Sequence, residues 1–205
     1  MRSTWLVFAA ALVASCSKGE SDKPAAKTKP KPALAPVAAD PPRVPDVVPK
    51  TSSALKIDGE WDEPEWSQRA LRHIFAADNG EQARPHSEVR LLHDDRNLYV
   101  GLYAADENIE SSEHFDVQVG DLATKAYATG KLDPPIDGAN AGIDRDGTLD
   151  NPKDDDEEWV LEIAIPLAKT AFAPGKKVPV KFGRCDTPKD NIKRCGSWSG
   201  SVSLE

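Results

Sequence analysis

The sequence is short of the groups that most enzyme chemistry needs. Methionine occurs once, as Met1, and histidine four times, as His73, His86, His93 and His114. There is no GxSxG, HExxH or phosphate-cradling loop, so the common motif-bearing hydrolases, zinc peptidases and nucleotide enzymes find no footing. There is no CxxC or CxxCH, which removes thioredoxin-like redox chemistry, paired-cysteine zinc sites and covalent haem attachment. No apolar run approaches the roughly 18 residues of a bilayer-spanning helix, and no stretch sustains a long helical period. Acids are abundant, but pairs such as Asp62/Glu65 or Asp94/Asp95 do not make a glycosidase dyad, which needs two carboxylates across a cleft about 5 to 10 Å apart. The chain reads as non-catalytic.

What is present falls into three parts. Residues 1–15 have a basic start at Arg2 and an apolar core from Trp5 to Val13, the pattern of an export signal. The run ends in Val13-Ala14-Ser15-Cys16, and small residues directly before a cysteine resemble the lipobox of bacterial lipoproteins. That resemblance implies a lipid on Cys16; an ordinary secretory peptide is the alternative, and both send the protein to the cell envelope or beyond. Residues 16–52 then read as a tether. Pro24, Pro30, Pro32, Pro36, Pro41, Pro42, Pro45 and Pro49 alternate with Ala, Lys and Val without an apolar period, a composition that cannot bury enough surface to offset its ordering entropy. With Cys16 assigned to lipid, Cys185 and Cys195 remain as a pair. An oxidising compartment lets them close, and a loop of about ten residues is worth roughly 2.5 to 3 kcal/mol in the chain-entropy model. Two free thiols are the alternative.

Residues 53–205 read as one domain. From residue 51 onward there are 18 basic and 30 acidic side chains, a net charge of −12. Such a charge argues against nucleic acid and anionic lipid surfaces as partners and leaves neutral ligands and cations open. The clearest structural signal is a pair of period-2 runs, 88–93 and 98–105, joined by Asp94-Asp95-Arg96-Asn97, which predicts a β-hairpin. Further strands are expected at 55–57, 73–76, 113–119, 141–144, 158–165 and 178–185. In the 159–165 run every odd position is large and apolar, so these should face a core, and Pro166 should end the strand. Short alternating strands with turns and almost no helix predict an all-β, antiparallel β-sandwich.

Several of these pieces together resemble a known family. Ile57-Asp58-Gly59-x-Trp61-Asp62-Glu63-x-x-Trp66, "EVRLLHDDRNLYVGLYAAD" at 88–106, "EEWVLEIAIPL" at 157–167, "VKFGRCD" at 180–186 and "SWS" at 197–199 resemble, in order, the carbohydrate-binding module family 9-like domain. The resemblance implies a DOMON-like β-sandwich of the kind attached to glycan-degrading enzymes or standing alone in envelope proteins. It places Trp66 on a short helical turn packed into the core, with Asp62 expected to cap that turn and Pro64 in its first turn. Trp61 stands where a large apolar residue is usual.

The same resemblance implies where a glycan would bind. Sugar-binding members stack a terminal sugar between two aromatics, one just before the strand that here reads "EHFDVQV" and one near the C-terminus. No aromatic occurs between Tyr103 and Phe115, and Trp198 is the candidate for the second position. One ring face contributes roughly 2 kcal/mol by area, while millimolar affinity needs about 4 kcal/mol, so Asp116 and Arg184 are candidates to supply hydrogen bonds. For Trp198, core packing and ligand contact are both open. Asp144, Asp146 and Asp150 suggest a calcium site, which the resemblance permits; Asp146-Gly147 also fits a plain hairpin turn. Some DOMON-like relatives hold haem through Met and His or Lys, a reading that the lack of any methionine after Met1 weakens. The expected function is therefore that of an envelope-anchored, non-catalytic glycan-binding protein, or of a protein-interaction module on the same fold that has lost the sugar site.

Overall fold

The computed structural model describes residues 46–205. The signal segment 1–15, Cys16 and most of the tether lie outside the described residues. The described chain folds into β1 (Asp46–Val48), α1 (Pro64–Gln68), β2 (Leu71–Ile74), β3 (Ser87–His93), β4 (Asn97–Ala105), β5 (His114–Val119), β6 (Leu122–Tyr127), β7 (Leu132–Asp133), β8 (Asn140–Asp146), β9 (Glu158–Pro166), a single 3₁₀ turn (Leu167–Lys169), β10 (Val178–Asp186) and β11 (Arg194–Leu204). The strands make two sheets. One runs β1-β11-β10-β5-β6-β7 and the other β2-β3-β4-β9-β8. Every pairing is antiparallel except β1 with β11, so the expected antiparallel sandwich is present.

Alternation along the strands builds the layer between the sheets. Val89 and Leu91 of β3, Leu98, Val100 and Leu102 of β4, and Trp159, Leu161, Ile163 and Ile165 of β9 face Phe115, Val117, Val119, Val180, Phe182 and Val202 of the opposite sheet, all at most 3% exposed. The β3–β4 turn is closed by Asp94, whose Oδ1 accepts the backbone N–H groups of Arg96 and Asn97 at 2.7 and 2.6 Å. Its Oδ2 accepts the Tyr99 hydroxyl at 2.8 Å.

The Trp-bearing segment lies outside that core, on the outer face of the five-stranded sheet. Trp66, 1% exposed, packs there on Leu92, Tyr99 and Ala164, with Leu55, Ile57, Trp61 and Ala70 around it. Residues 55–57, expected as a strand, pair with no neighbour; their turn is tied down by a side chain instead. Glu162 Oε2 accepts the N–H groups of Asp58 and Gly59, both at 3.0 Å. Gly59, at φ +96°, lies where an added Cβ would sit 2.1 Å from the Asp144 amide nitrogen, so neither the conformation nor the space admits a side chain. The expected Asp62 cap is also corrected: Glu63 is the N-cap of α1 and makes no side-chain capping bond. Its Oε1 accepts the Lys56 N–H instead, at 2.9 Å, and Pro64, which opens the helix, has no N–H needing a cap.

The sheet also begins earlier than residue 53. β1 lies in the stretch expected as tether because Val48 turns inward, fully buried, and the N-terminal strand finds a free edge on β11. β6, β7 and β11 were not expected. β11 reads Arg194-Cys-Gly-Ser-Trp-Ser-Gly-Ser-Val-Ser-Leu204, where serine and glycine hide the alternation that the backbone follows.

Candidate functional site

The three residues put forward for ligand binding occupy three different environments. Trp198 projects inward from β11 opposite Phe182 and packs at the margin of the core. Its ring stacks on His73 at 3.8 Å between centroids and 10° between planes, and lies parallel to Phe182 at 6.1 Å. Of the two roles left open for Trp198, the structure shows packing at the core margin, with one ring face against His73. Asp116 projects from the opposite face of the same sheet, between Gly183 and Lys125 on the flanking strands. There it lines a shallow groove of about 390 Å³ with Gln118, Lys125, Asp133 and Lys181. Arg184 is 4% exposed and is consumed by internal contacts. A period of two explains the separation: Asp116 has the outward parity, while Arg184 and Trp198 have the inward one.

The Cys185–Cys195 disulfide is formed, between cross-strand partners of the β10–β11 hairpin. The proposed calcium acids fare differently. Asp144 and Asp146 project outward from β8, an edge strand, and Asp150 turns away to accept the Ser111 N–H at 2.9 Å. Among the described residues the acids that do converge are Asp106, Glu113 and Asp186, whose carboxylate oxygens all lie within 4.8 Å of one another.

That cluster is built from three strand ends: Asp106 follows β4, Glu113 precedes β5, and Asp186 closes β10. Arg184 Nη2 donates to Asp106 Oδ2 at 2.5 Å and lies 3.4 Å from Glu113 and 3.3 Å from Asp186, while Nη1 reaches the Ala105 carbonyl at 3.1 Å. Trp159 Nε1 also donates to Asp106 Oδ2, at 3.1 Å, and Asp106 Oδ1 accepts the Asn108 N–H at 3.0 Å. Asp186 is 3% exposed and lies among these groups, its Oδ1 3.3 Å from Arg184 Nη2. Burial, reinforced by hydrogen bonding with Asp106 and Asp186, pushes the Glu113 carboxyl well above the ordinary range, against the pull of Arg184. Sequence reasoning missed this site. Asp186 stood in a quoted motif without a role, and about 80 residues separate it from Asp106.

Beside the cluster opens a cleft of about 860 Å³ at the end of the sandwich. Gln82, Arg84, His86, Asp106, Glu107 and Asp190 are among its lining, which includes no Trp, Tyr or Phe. One wall is rigid: Asp156, 6% exposed, accepts the Ile109 N–H at 2.7 Å and the Thr148 N–H at 3.0 Å, tying the β4–β5 loop to the β8–β9 loop.

On the outer face of the five-stranded sheet, Trp61 is half-buried among other rings. Trp66 stacks beside it at 6.0 Å, Tyr103 is tilted at 6.2 Å, and the Arg90 guanidinium sits 4.0 Å over its ring. Arg90 and Arg72 both bind Glu88, which is 1% exposed. Burial opposes the charge on Glu88, but the two arginines with His86 override it and hold the carboxyl below its usual value. Trp66 is a packing residue, while Trp61 packs on one side and on the other lines a small depression with Arg72, His86, Glu88, Arg90 and Tyr103.

No protein-family model matches the chain, and no curated protein matches it. Solved structures do. A carbohydrate-binding module of family 9 from Caldicellulosiruptor kristjanssonii in complex with cellotriose superposes with a TM-score of 0.54 at 14% identity, over 78% of this chain and 93% of that one. Its complex with glucose gives a TM-score of 0.56 at 14% identity, over 78% and 96%. A candidate carbohydrate-binding protein from Bacteroides uniformis gives 0.53 at 12% identity, over 78% and 98%. At such identities the likeness establishes the fold, which is that of the family 9 carbohydrate-binding modules.

Proposed function

We propose that this chain is a non-catalytic glycan-binding module, held at the cell envelope by a lipid on Cys16 and binding a neutral sugar weakly in the cleft at the end of the sandwich. The observation that carries the reading is the shared two-sheet fold, matched over 78% of this chain by structures that hold cellotriose and glucose. The polar lining of the cleft adds support. Arg84, His86, Gln82, Glu107 and Asp190 offer both donors and acceptors, the mixture that sugar hydroxyls require. Lacking an aromatic face, the site relies on hydrogen bonds, each worth about 0.5 to 1.5 kcal/mol net and about 1.5 to 3 when a charged group takes part. Three or four of these reach the roughly 4 kcal/mol of a millimolar complex.

Calorimetric titration of the mature chain with glucose, cellobiose and cellotriose tests the proposal. Millimolar binding that Arg84→Ala weakens by at least several-fold, while Trp198→Ala leaves it intact, is the expected result. No saccharide bound at millimolar concentration sinks it. Anchoring is tested separately: Cys16→Ser should move the protein out of the membrane fraction, because acyl chains contribute about 0.8 kcal/mol per buried CH₂.

A second reading has one specific observation in its favour. The loop before β5 carries no aromatic and Trp198 is stacked on His73, so neither ring of a sugar-clamping pair is available. On that reading the fold serves as a protein-interaction or structural module of the envelope. It would show as one dominant protein co-purifying from membranes, with no response to saccharides.

A further inference from the structure

The outer face of the five-stranded sheet carries a charge pattern that folding does not call for. Arg72 of β2 and Arg90 of β3 are direct cross-strand partners, and like charges so placed destabilise a sheet. One buried carboxylate, Glu88, stands between them; it accepts Arg72 Nε and Arg90 Nε, both at 2.8 Å, and faces His86 Nε2 at 3.2 Å. Two guanidiniums thus share one counter-charge. Arg90 is otherwise spent, with its Nη1 on the Trp66 carbonyl at 3.2 Å and its guanidinium over the Trp61 ring. Arg72 is not. Its side chain is 52% exposed, Nε and Nη2 both go to Glu88, and Nη1 makes no hydrogen bond or ion pair among the described residues. These groups, with Trp61 and Tyr103, line a depression of about 300 Å³. The Tyr103 hydroxyl donates to Glu158, which does not itself line the depression, so the phenolic oxygen is left to accept. His86 lines both this depression and the cleft at the strand ends, which makes the two neighbours.

We propose that this depression is a subsite for the uronic acid residue of an acidic glycan whose neutral neighbour occupies the cleft; this rests on the cleft being a sugar site, and it names the class of glycan bound there. Charge fixes the orientation. Among the ionic groups lining the cleft the acids outnumber the arginines, so a carboxylate is repelled there and a neutral residue is not. The depression reverses the balance, with Arg72 and Arg90 against Glu88. A carboxylate on Arg72 Nη1 makes a charge-assisted hydrogen bond, about twice as strong as a neutral one, and supplies the counter-charge that the facing arginines lack. The Tyr103 oxygen accepts a sugar hydroxyl, and the Trp61 and Tyr103 rings offer apolar contact to the ring carbons. The net charge of −12 from residue 51 onward does not defeat this attraction. At physiological salt, exposed charges more than about 8 Å away are largely screened, so the adjacent guanidinium outweighs the distant acids.

The test is a calorimetric titration of the mature chain with cellobiose and with cellobiouronic acid, the same disaccharide ending in a glucuronic acid. The acid is expected to bind about tenfold more tightly, an advantage that shrinks as salt is raised. Arg72→Gln should bring the acid down to the affinity of cellobiose, Arg72→Lys, which keeps the charge, should retain part of the advantage, and Arg84→Ala should weaken both sugars. Should Arg72→Gln fail to fold, the wild-type comparison and its salt dependence decide alone. Equal affinity for the two disaccharides overturns the subsite and leaves the cleft as a neutral-sugar site. Binding of the acid alone, lost in Arg72→Gln, upholds the subsite and removes the neutral sugar from the cleft, whereas binding of neither ends both. Acetate that displaces the acid as well as glucuronate does makes the depression a plain anion site and overturns the assignment to a sugar.

Discussion

The outer faces of the two sheets are made by the same alternation and end in opposite states. On the five-stranded sheet the outward positions include Leu92, Tyr99, Gly101, Glu162 and Ala164, and the chain returns through residues 55–70 to cover them. On the six-stranded sheet they are Asp116, Gln118, Lys125, Lys181 and Ser199, and all are exposed. The difference shows what a covered sheet face requires: apolar side chains to be worth burying, a glycine where the cover comes closest, and a buried acceptor for the amides of a segment that joins no ladder. Gly101 supplies the second, since a Cβ there would lie 2.9 Å from Trp61 Nε1. Glu162 supplies the third. The open face carries Gly183 and Ala123 among polar side chains but no row of large buried apolar groups, and its polar side chains need no cover.

Removing the cover's main anchor should have the largest effect. Trp66→Ala deletes a side chain that is 1% exposed and wedged among Leu92, Tyr99 and Ala164. The expected loss is about 3 to 5 kcal/mol, read as a lower denaturant midpoint in chemical unfolding. An unchanged midpoint would mean that the 55–70 segment contributes nothing to stability.

Glu162 sharpens the comparison through pH. It is fully buried, and burial pushes its carboxyl up to about 7 in spite of the two amides it accepts; nearby Glu63 and Asp58 add to the rise. A raised folded-state value means that the native protein holds this proton more tightly than the unfolded chain does. The contribution is therefore fully present below the ordinary glutamate range and is lost as pH rises from about 4.5 to 7. Over that interval it amounts to the order of 3 kcal/mol. Glu162→Gln carries no such charge, so the difference in unfolding free energy between wild type and variant should drift against the wild type across this window. A difference that stays constant with pH would refute the assignment.

A smaller loss is expected from crowding the cover. Gly101→Ala pushes a methyl group against the Trp61 indole, which Trp66 and Arg90 hold in place, so about 1 to 2 kcal/mol should be lost. Much of this face was legible in the sequence. The β3–β4 hairpin and β9 announced themselves because large apolar residues recur at the spacing of the strand, whereas the packed place of Trp66 came from the family resemblance. β11 did not, since Ser197, Ser199 and Ser201 carry no apolar contrast with their glycine neighbours, and β1 was masked by Pro45 and Pro49. The parity of Asp116 against Arg184 and Trp198 depends on which sheet face meets the core. The Asp106, Glu113 and Asp186 cluster was beyond reach for a different reason. Acids are read as surface groups by default, and only the meeting of three strand ends far apart in sequence buries these.

The open face should be nearly indifferent to substitution. Asp116 is outward and two-thirds exposed, and its contact with His114, at 3.8 Å, is a solvent-accessible one of the kind that contributes little. Asp116→Ala is expected to change stability by less than about 0.5 kcal/mol, seen as coincident unfolding curves. Run alongside the saccharide titration, the same variant sorts this groove from the cleft at the strand ends. The groove around Asp116 lies across the strands of the bare face, whereas the larger cleft lies at the strand ends, so a ligand in the cleft makes no use of Asp116. Unchanged affinity in Asp116→Ala, together with weakened affinity in Arg84→Ala, assigns the sugar to the strand ends. The reverse pattern would move it to the uncovered sheet, and would mean that this face is left bare for a ligand.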